Sequence, residues 1–227
     1  MKSPIKLSYL LAVAAFVAGC GGTSSQASAI GAATLSITWP DQSRLIPVAA
    51  NSITVAFLNG STTVASQTVA RPSSGNQSTL SFTGLPATSL TLTAKAYPTT
   101  DGTGTAQASA SQAITIVSGS TTSATLTMAS TISTLSVSPT SLSLSAGNTG
   151  TLTLSAKDSS GATVITSDST MTWTSSDTSV ATVSSSGVVT AVAGGSATIS
   201  VTDSESGKSA SASVAVTSTG GATVTVK

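Results

Sequence analysis

Histidine is absent from this chain of 227 residues, cysteine occurs once, and charged residues make up only 7% of the sequence. The chain therefore lacks the Cys/His clusters that bind zinc and the histidine base that commonly activates a nucleophile. A single cysteine also excludes an intrachain disulfide. Typical domains contain about 25% charged residues, and the chain has no basic stripe that would hold nucleic acid. These absences argue against an enzyme, a cofactor, a metal site and a nucleic-acid partner.

Serine and threonine occupy much of the sequence and account for 87 of the 227 positions. Threonine and valine suit half-buried pleated strands, whereas the good helix formers Leu, Glu, Lys and Gln are scarce. The composition therefore predicts an all-β protein. Its length fits two tandem β-sandwiches of about 100 residues each.

The N-terminus has the anatomy of a signal peptide. Lys2 and Lys6 supply positive charge, and residues 7–18 form an apolar run of 12 residues. This run is too short for a bilayer core about 30 Å thick, which needs about 20 residues. It ends in Val17-Ala18-Gly19-Cys20, which resembles the lipobox of bacterial lipoproteins. The resemblance implies lipid attachment at Cys20; the alternative is an ordinary signal peptide in which Cys20 is incidental.

Lipidation at Cys20 implies removal of residues 1–19 and attachment of the protein to a membrane. A single acyl chain anchors only marginally, at about 0.8 kcal/mol per buried CH₂, but lipoproteins of this kind carry several chains on the cysteine. Gly21 occupies the position where an inner-membrane retention signal in that family has Asp, which implies the outer membrane or the cell surface. Residues 20–33 are rich in Gly, Ser and Ala and are predicted to form a flexible tether.

Residues 34–130 are predicted to form the first β-sandwich. Seven segments alternate between apolar and Ser/Thr residues with the period of two expected for half-buried strands: 35–39, 53–57, 63–69, 79–82, 90–96, 113–117 and 124–128. The dipeptide Asn59-Gly60 predicts a hairpin turn, and residues 71–76 and 98–102 predict loops.

One stretch of this first sandwich resembles prealbumin-like surface domains. The likeness lies in Phe82-Thr-Gly84-Leu85-Pro86, which leads into the alternating segment 90–96. Prealbumin-like domains usually place Gly and an aromatic residue after the proline, where this chain has Ala87-Thr88-Ser89-Leu90.

Residues 131–217 carry a pattern of several spaced motifs: Leu135-Ser-Val-Ser-Pro139, Thr172-Trp173-Thr-Ser-Ser-Asp177, Val180-Ala181-Thr-Val183, Ser186-Gly187-Val-Val and Gly195-Ser-Ala197-Thr-Ile199. They resemble the bacterial immunoglobulin-like domain of group 2, which implies a second β-sandwich. Trp173 lies between two threonines in a strand pattern, so we predict that its ring points into the core. Gly187 permits a tight hairpin. Residues 218–227 form either an added edge strand or a disordered end.

The remaining polar and aromatic residues offer few candidates for a site. Asp101-Gly102-Thr103-Gly104 and Asp158-Ser-Ser-Gly161 are typical of turns, and we predict that Asp203 and Glu205 lie in a solvated loop. Trp39 and Tyr97 each precede a proline. We favour core or rim packing for both over contact with a ligand.

The sequence therefore favours a non-catalytic, surface-anchored lipoprotein that acts in adhesion, display or spacing. Its partners would be a membrane, through Cys20, and an extracellular protein or glycan. The alternative is a carbohydrate- or polysaccharide-binding envelope protein, with Trp39 and Tyr97 as the residues to test; this alternative rests partly on fold analogy.

Overall fold

The computed structural model describes residues 29–39 and 49–218. In these residues the protein consists of 17 β-strands and one short 3-10 helix, Asp168–Thr170. The strands form two groups, each with its own buried apolar cluster. The prediction of an all-β fold is confirmed. The predicted signal peptide (residues 1–19), Cys20, most of the predicted tether and most of the predicted C-terminal tail lie outside the described residues.

Within the part of the chain that the structure describes, no helix has the length and apolar character needed to cross a membrane.

The N-terminal sandwich comprises eight strands: β1 (Ile30–Thr38), β2 (Ser52–Asn59), β3 (Thr62–Ala70), β4 (Gln77–Pro86), β5 (Ser89–Tyr97), β6 (Ala108–Thr115), β7 (Thr121–Ala124) and β8 (Ala129–Ser130). They form a three-stranded sheet in the order β4-β1-β7 and a five-stranded sheet in the order β3-β2-β5-β6-β8. Only the β1–β7 pair in these two sheets is parallel. Phe57 and Phe82, one from each sheet, meet edge to face with ring centroids 4.9 Å apart.

The strand β1 begins earlier than the sequence predicts. Residues 30–33, expected to belong to the flexible tether, already pair with β4, and Ala33 is buried. Gly31 also permits a close approach to the connection between β6 and β7, since an added Cβ there would lie 2.3 Å from the Val117 carbonyl oxygen. Only glycine allows the two backbones to come this near.

Two other predicted strands of the N-terminal sandwich are also displaced. The predicted segment 113–117 overlaps only the end of β6, which starts at Ala108 and ends at Thr115. The segment 124–128 is not a strand, because β7 ends at Ala124 after pairing with β1. Leu126 and Met128 still pack on the core, so the alternation in this segment reflects burial without a hydrogen-bonded ladder.

The hairpin between β2 and β3 is shifted by one residue from the predicted Asn59-Gly60. Asn59 pairs with Thr62, so the two loop residues are Gly60 and Ser61. Gly60 has φ of +60°, and no residue other than glycine has a positive φ in the described chain. Glycine at the first loop position with a positive φ is typical of a type II′ turn.

The C-terminal sandwich comprises nine strands: β9 (Thr134–Ser138), β10 (Ser141–Ser145), β11 (Thr149–Thr151), β12 (Thr153–Lys157), β13 (Met171–Ser175), β14 (Ala181–Val183), β15 (Val188–Ala191), β16 (Gly195–Asp203) and β17 (Ser209–Thr217). One layer is the four-stranded sheet β10-β17-β16-β13. The other consists of the pair β9–β12 and the sheet β11-β15-β14. Leu152 alone separates β11 from β12, so the two act as one strand with a break.

This arrangement is that of an immunoglobulin constant-type sandwich. With β11 and β12 counted as one strand, the layer order β9, β12/β11, β15, β14 corresponds to ABED, and β17, β16, β13 correspond to GFC. β10 adds to the second layer by pairing in parallel with β17. Apolar side chains of both layers, among them Val189, Ile199 and Val201, are fully buried between them.

Candidate functional site

Trp173 lies at the border of the second core, not inside it. It sits in the middle of β13 opposite Val201 of β16, and its ring packs against the buried cluster while remaining half-buried. The prediction that Trp173 is a core residue is therefore corrected. Leu152, the residue between β11 and β12 in the facing layer, lines the same cleft as Trp173.

Gly187 forms one wall against the Trp173 ring. Its φ is +79°, and an added Cβ would lie 2.6 Å from the Leu152 carbonyl oxygen and 3.1 Å from Cζ2 of Trp173. The Gly187 amide donates to the Ser184 carbonyl, and the Ser184 amide donates to the Val188 carbonyl. The predicted hairpin at Gly187 is confirmed, and its glycine also leaves room for the indole.

The half-buried Trp173 lines a cleft of about 370 Å³. Its walls come from the broken strand, the segment before β13 and the β14–β15 turn: Thr151, Leu152, Thr153, Leu154, Thr166, Asp168, Met171, Ser185 and Ser186. Sites for small molecules commonly have volumes of about 300–1,000 Å³, with an apolar or aromatic surface and a few polar groups. The volume of this cleft lies within that range, but its lining is mostly polar, with Trp173, Met171 and two leucines as its apolar members.

Several polar groups at this cleft have no partner among the described residues. The indole Nε1 of Trp173, the carboxylate of Asp168 and the hydroxyl of Thr166 make no hydrogen bond there, whereas Thr153 Oγ1 donates to the Ser138 carbonyl. Trp173 Nε1 is not among the buried atoms without a hydrogen-bond partner, so the missing partner reflects exposure to solvent. A donor and an acceptor at the cleft are therefore available to a ligand from solvent.

Unlike Trp173, Trp39 is fully buried and its indole N–H has a partner. Its side chain is 2% exposed, and its Nε1 donates to Ser78 Oγ at 2.9 Å. The guanidinium carbon of Arg71 lies 5.3 Å from the ring centroid, a distance at which a cation and an aromatic ring attract. Core packing is thus confirmed for Trp39, and its ring has no face for a ligand. Tyr97 is half-buried at the end of β5.

The N-terminal sandwich has a smaller, more apolar cavity. Its volume is about 130 Å³, and Leu35, Ile37, Val55, Leu126 and Met128 contribute to its lining. The cavity lies where the chain after β7 leaves β1. It is smaller than the sites in which proteins commonly bind small molecules, so the Trp173 cleft is the better candidate.

The exposed aspartates cap turns. The hydroxyl and amide of Ser160 donate to Asp158 Oδ1 at 2.7 and 2.9 Å. Hydrogen bonds of this kind, chiefly from the hydroxyls of Thr103, Ser160 and Ser179 respectively, hold the pKa values of Asp101, Asp158 and Asp177 below the ordinary value. The turns predicted at Asp101 and Asp158 are confirmed.

Asp203 differs from the prediction. It is the last residue of β16 and 0% exposed, not part of a solvated loop. The amide and hydroxyl of Ser206 donate to Asp203 Oδ2 at 2.9 and 2.6 Å. The hydrogen-bonding capacity of the buried carboxylate is therefore used within its own turn. In the two described stretches, no three His, Cys, Asp or Glu side chains come together in a way that would hold a metal ion.

The outer surface of the four-stranded layer carries almost only hydroxyl groups. We call it the hydroxyl face; its exposed members are Ser141, Ser143, Ser145, Thr172, Thr174, Ser196, Thr198, Thr202, Ser209, Ser211, Ser213 and Thr217. The alternation of the strands places valine, alanine and isoleucine inward and these residues outward. The face is hydrated and uncharged, and it has no aromatic side chain.

Sequence reasoning missed the Trp173 cleft. Trp173 itself was singled out, but Asp168 and Thr166 lie in a loop without a recognisable motif. The break at Leu152 has no signal either, because Thr151-Leu-Thr-Leu-Ser alternates without interruption. The cleft results from contacts between segments distant in sequence.

Residues 131–214 match the family profile described as bacterial Ig-like domain (group 2). Domains 5–6 of the S-layer protein SbsC are 29% identical to this chain, with 38% of this chain and 44% of that chain covered and a TM-score of 0.33. The chain thus spans less than half the length of that fragment. No curated protein matches the chain.

Two receptor-binding proteins are also among the similar structures. The C-terminal 282-residue fragment of intimin, in complex with the intimin-binding domain of its translocated receptor, is 16% identical, with 82% of this chain and 62% of that chain covered and a TM-score of 0.30. Invasin, a bacterial integrin-binding protein, is 17% identical, with coverages of 83% and 39% and a TM-score of 0.24. The family match supports a bacterial Ig-like domain in residues 131–214.

Proposed function

We propose that the protein is a non-catalytic lipoprotein of the cell envelope, anchored through Cys20, that acts in adhesion, display or spacing. One observation carries this proposal: the chain forms two β-sandwiches, each with its own hydrophobic core, and a short, hydrogen-bonded segment joins them. Met128 belongs to the first core and Ile132 to the second. Between them, the Thr131 amide donates to the Gln107 carbonyl at 3.0 Å.

The connection suits a spacer because Thr131 is hydrogen-bonded to the N-terminal sandwich directly before the second core begins at Ile132. Thr131 Oγ1 also donates to the Ala106 carbonyl at 2.5 Å. In the proposed role, the two sandwiches in tandem would extend the chain away from its attachment point. The first sandwich lies near that point, since the ten residues from Cys20 to Ile30 span at most about 36 Å even when fully extended.

The placement of polar groups supports a non-catalytic role. General acid–base or nucleophilic catalysis needs a base within hydrogen-bond reach of the reacting group. Asp101, Asp158, Asp177 and Asp203 instead accept hydrogen bonds from their own turns. The Asp168 carboxylate has no hydrogen-bond partner among the described residues, so no base or nucleophile is paired with it there. Among the described residues we therefore assign no catalytic residue.

The structure does not support Trp39 as a sugar contact in the glycan-binding alternative. The Trp39 ring is buried, with its N–H bonded to Ser78. Trp39→Ala would remove a core side chain and not a sugar contact, so loss of binding in that variant would report unfolding.

Metabolic labelling with palmitate tests the anchor. We expect label in the wild-type protein, none in Cys20→Ser, and release of that variant from the membrane fraction. Equal labelling of the two proteins would contradict attachment at Cys20.

Surface exposure tests the display role. Protease added to intact cells should cleave the wild-type protein, and cells producing it should adhere to a glycan- or protein-coated surface better than cells producing Cys20→Ser. Complete protection in intact cells, together with cleavage after lysis, would contradict a role at the cell surface.

A further inference from the structure

We propose that the cleft at Trp173 binds a pyranose ring of an uncharged glycan. This assignment does not depend on lipid attachment at Cys20. It follows from a half-buried indole that lies at the same cleft as a carboxylate and several hydroxyl groups.

The indole supplies the stacking surface. An aromatic ring has a negative face, which attracts the weakly positive C–H groups that a pyranose presents on its flatter side. Trp173 pairs with Val201 of β16, its side chain packs on the second core, and an added Cβ at Gly187 would lie only 3.1 Å from its Cζ2. Because the ring is already fixed, little side-chain entropy is lost on binding.

The polar groups supply orientation. Trp173 Nε1 is a donor without a partner among the described residues, and the Asp168 carboxylate and Thr166 hydroxyl also make no hydrogen bond there. Sugar hydroxyls both donate and accept, so they match a cleft with one open donor and one open anionic acceptor.

The electrostatics select an uncharged sugar. Asp168 is the only charged residue that lines the cleft, and it is exposed. A uronic acid or sialic acid would bring a second carboxylate close to it, which is unfavourable. The volume of about 370 Å³ is near the lower end of the range of small-molecule sites, which favours a short stretch of glycan over a bulky ligand.

Tryptophan fluorescence can detect binding directly, because the chain has only two tryptophans. In the full-length Trp39→Phe variant, purified in a detergent without a sugar headgroup, all emission comes from Trp173. Cellohexaose, chitohexaose and maltohexaose serve as neutral probes, and a galacturonate oligosaccharide serves as the acidic probe. We expect a blue shift and protection from acrylamide quenching with at least one neutral probe, at a dissociation constant of about 1 mM or lower.

Matched variants locate the binding. Trp173→Phe keeps a ring but removes the N–H, and Asp168→Asn removes the charge; each should weaken binding of the neutral probe severalfold. Trp173→Ala should weaken it about tenfold or more, measured by calorimetry. Thr174→Ala changes the next residue of β13, which faces away from the cleft, and should leave the affinity unchanged.

Three results would overturn the assignment. One is the absence of any spectral change with all three neutral probes, in Trp39→Phe and in the wild-type chain. Another is equal affinity of Trp173→Ala and wild type when circular dichroism shows that both are folded. The third is tighter binding of the galacturonate probe than of any neutral one.

Discussion

The two tryptophans of the chain show how differently its two sandwiches treat a large aromatic ring. Trp39 follows β1 directly and is buried, with its N–H bonded to Ser78 and Arg71 over its ring. Trp173 lies in the middle of β13 and is half-buried, and its indole N–H makes no hydrogen bond to another described residue. The residue at the strand end is in the core, and the residue in mid-strand is at a cleft.

The difference shows that burial depends on the facing layer more than on position within a strand. In the N-terminal sandwich, Ser78 and Arg71 come from segments around β4 that close over Trp39. In the C-terminal sandwich, the facing strand is broken at Leu152, whose amide donates to the Gly187 carbonyl at 2.9 Å. Strand alternation decides the face to which a ring points, and the opposite layer decides whether that ring is covered.

The largest effect is expected at Trp39. Trp39→Ala leaves a cavity and an unpaired Ser78 hydroxyl, and large aromatic-to-alanine changes in a core cost about 3–5 kcal/mol. Urea denaturation followed by circular dichroism should show this loss in the N-terminal sandwich. The remaining tryptophan reports the C-terminal sandwich, and its transition should not move. An equal shift in both signals would show that the two cores unfold as one unit.

Gly187→Ala should have the next largest effect. A positive φ costs a residue with a Cβ about 1–2 kcal/mol, and here the methyl group would also lie 2.6 Å from a backbone oxygen. We expect a total of about 2–3 kcal/mol. Gly161→Ala is the control, because its φ is +85° but nothing lies within 4 Å of the added Cβ. If both variants lost the same free energy of unfolding, the close contacts at Gly187 would contribute nothing beyond its positive φ, and Gly187 would not support the cleft.

Trp173→Ala should cost less than Trp39→Ala. Its ring is already partly in solvent, so we expect a loss of about 1–2 kcal/mol, measured by thermal unfolding of the full chain. A loss as large as that of Trp39→Ala would mean that the ring is covered in solution, and the comparison between the two tryptophans would fail.

Much of the fold could be predicted from the sequence, because period-two alternation is a local signal. The alternating segments at β2, β3 and β5 are strands, and the turns at Asp158 and Gly187 are where the residue types place them. The signal failed at residues 124–128, where the side chains alternate in burial but the backbone has left its partner β1. Hydrogen-bonded pairing depends on a distant strand, which a local pattern does not specify.

The candidate site was harder to predict, for the same reason. Trp173 could be found from its type, but its partial exposure depends on Leu152 and Gly187, which are distant in sequence. The sequence pattern predicts that Asp203 and Glu205 lie in a solvated loop. Asp203 is instead the buried last residue of β16, and its carboxylate accepts hydrogen bonds from Ser206. Cys20 stays a prediction, since it lies outside the described residues.

The smallest effects are expected at Asp101 and Asp158, which cap turns in the N-terminal and C-terminal sandwiches respectively. Hydrogen bonds lower the pKa of both carboxyl groups from 3.8, so the ionised form stabilises the folded state above that pH. The stabilisation is lost as the pH falls through the lower, folded-state value. Asp158→Asn should therefore unfold at lower urea concentration than wild type near neutral pH, and the difference should shrink under acidic conditions. Asp101→Asn should behave alike, because both caps are local; a difference that grows in acid would show that the carboxylates are stabilised by something other than their turns.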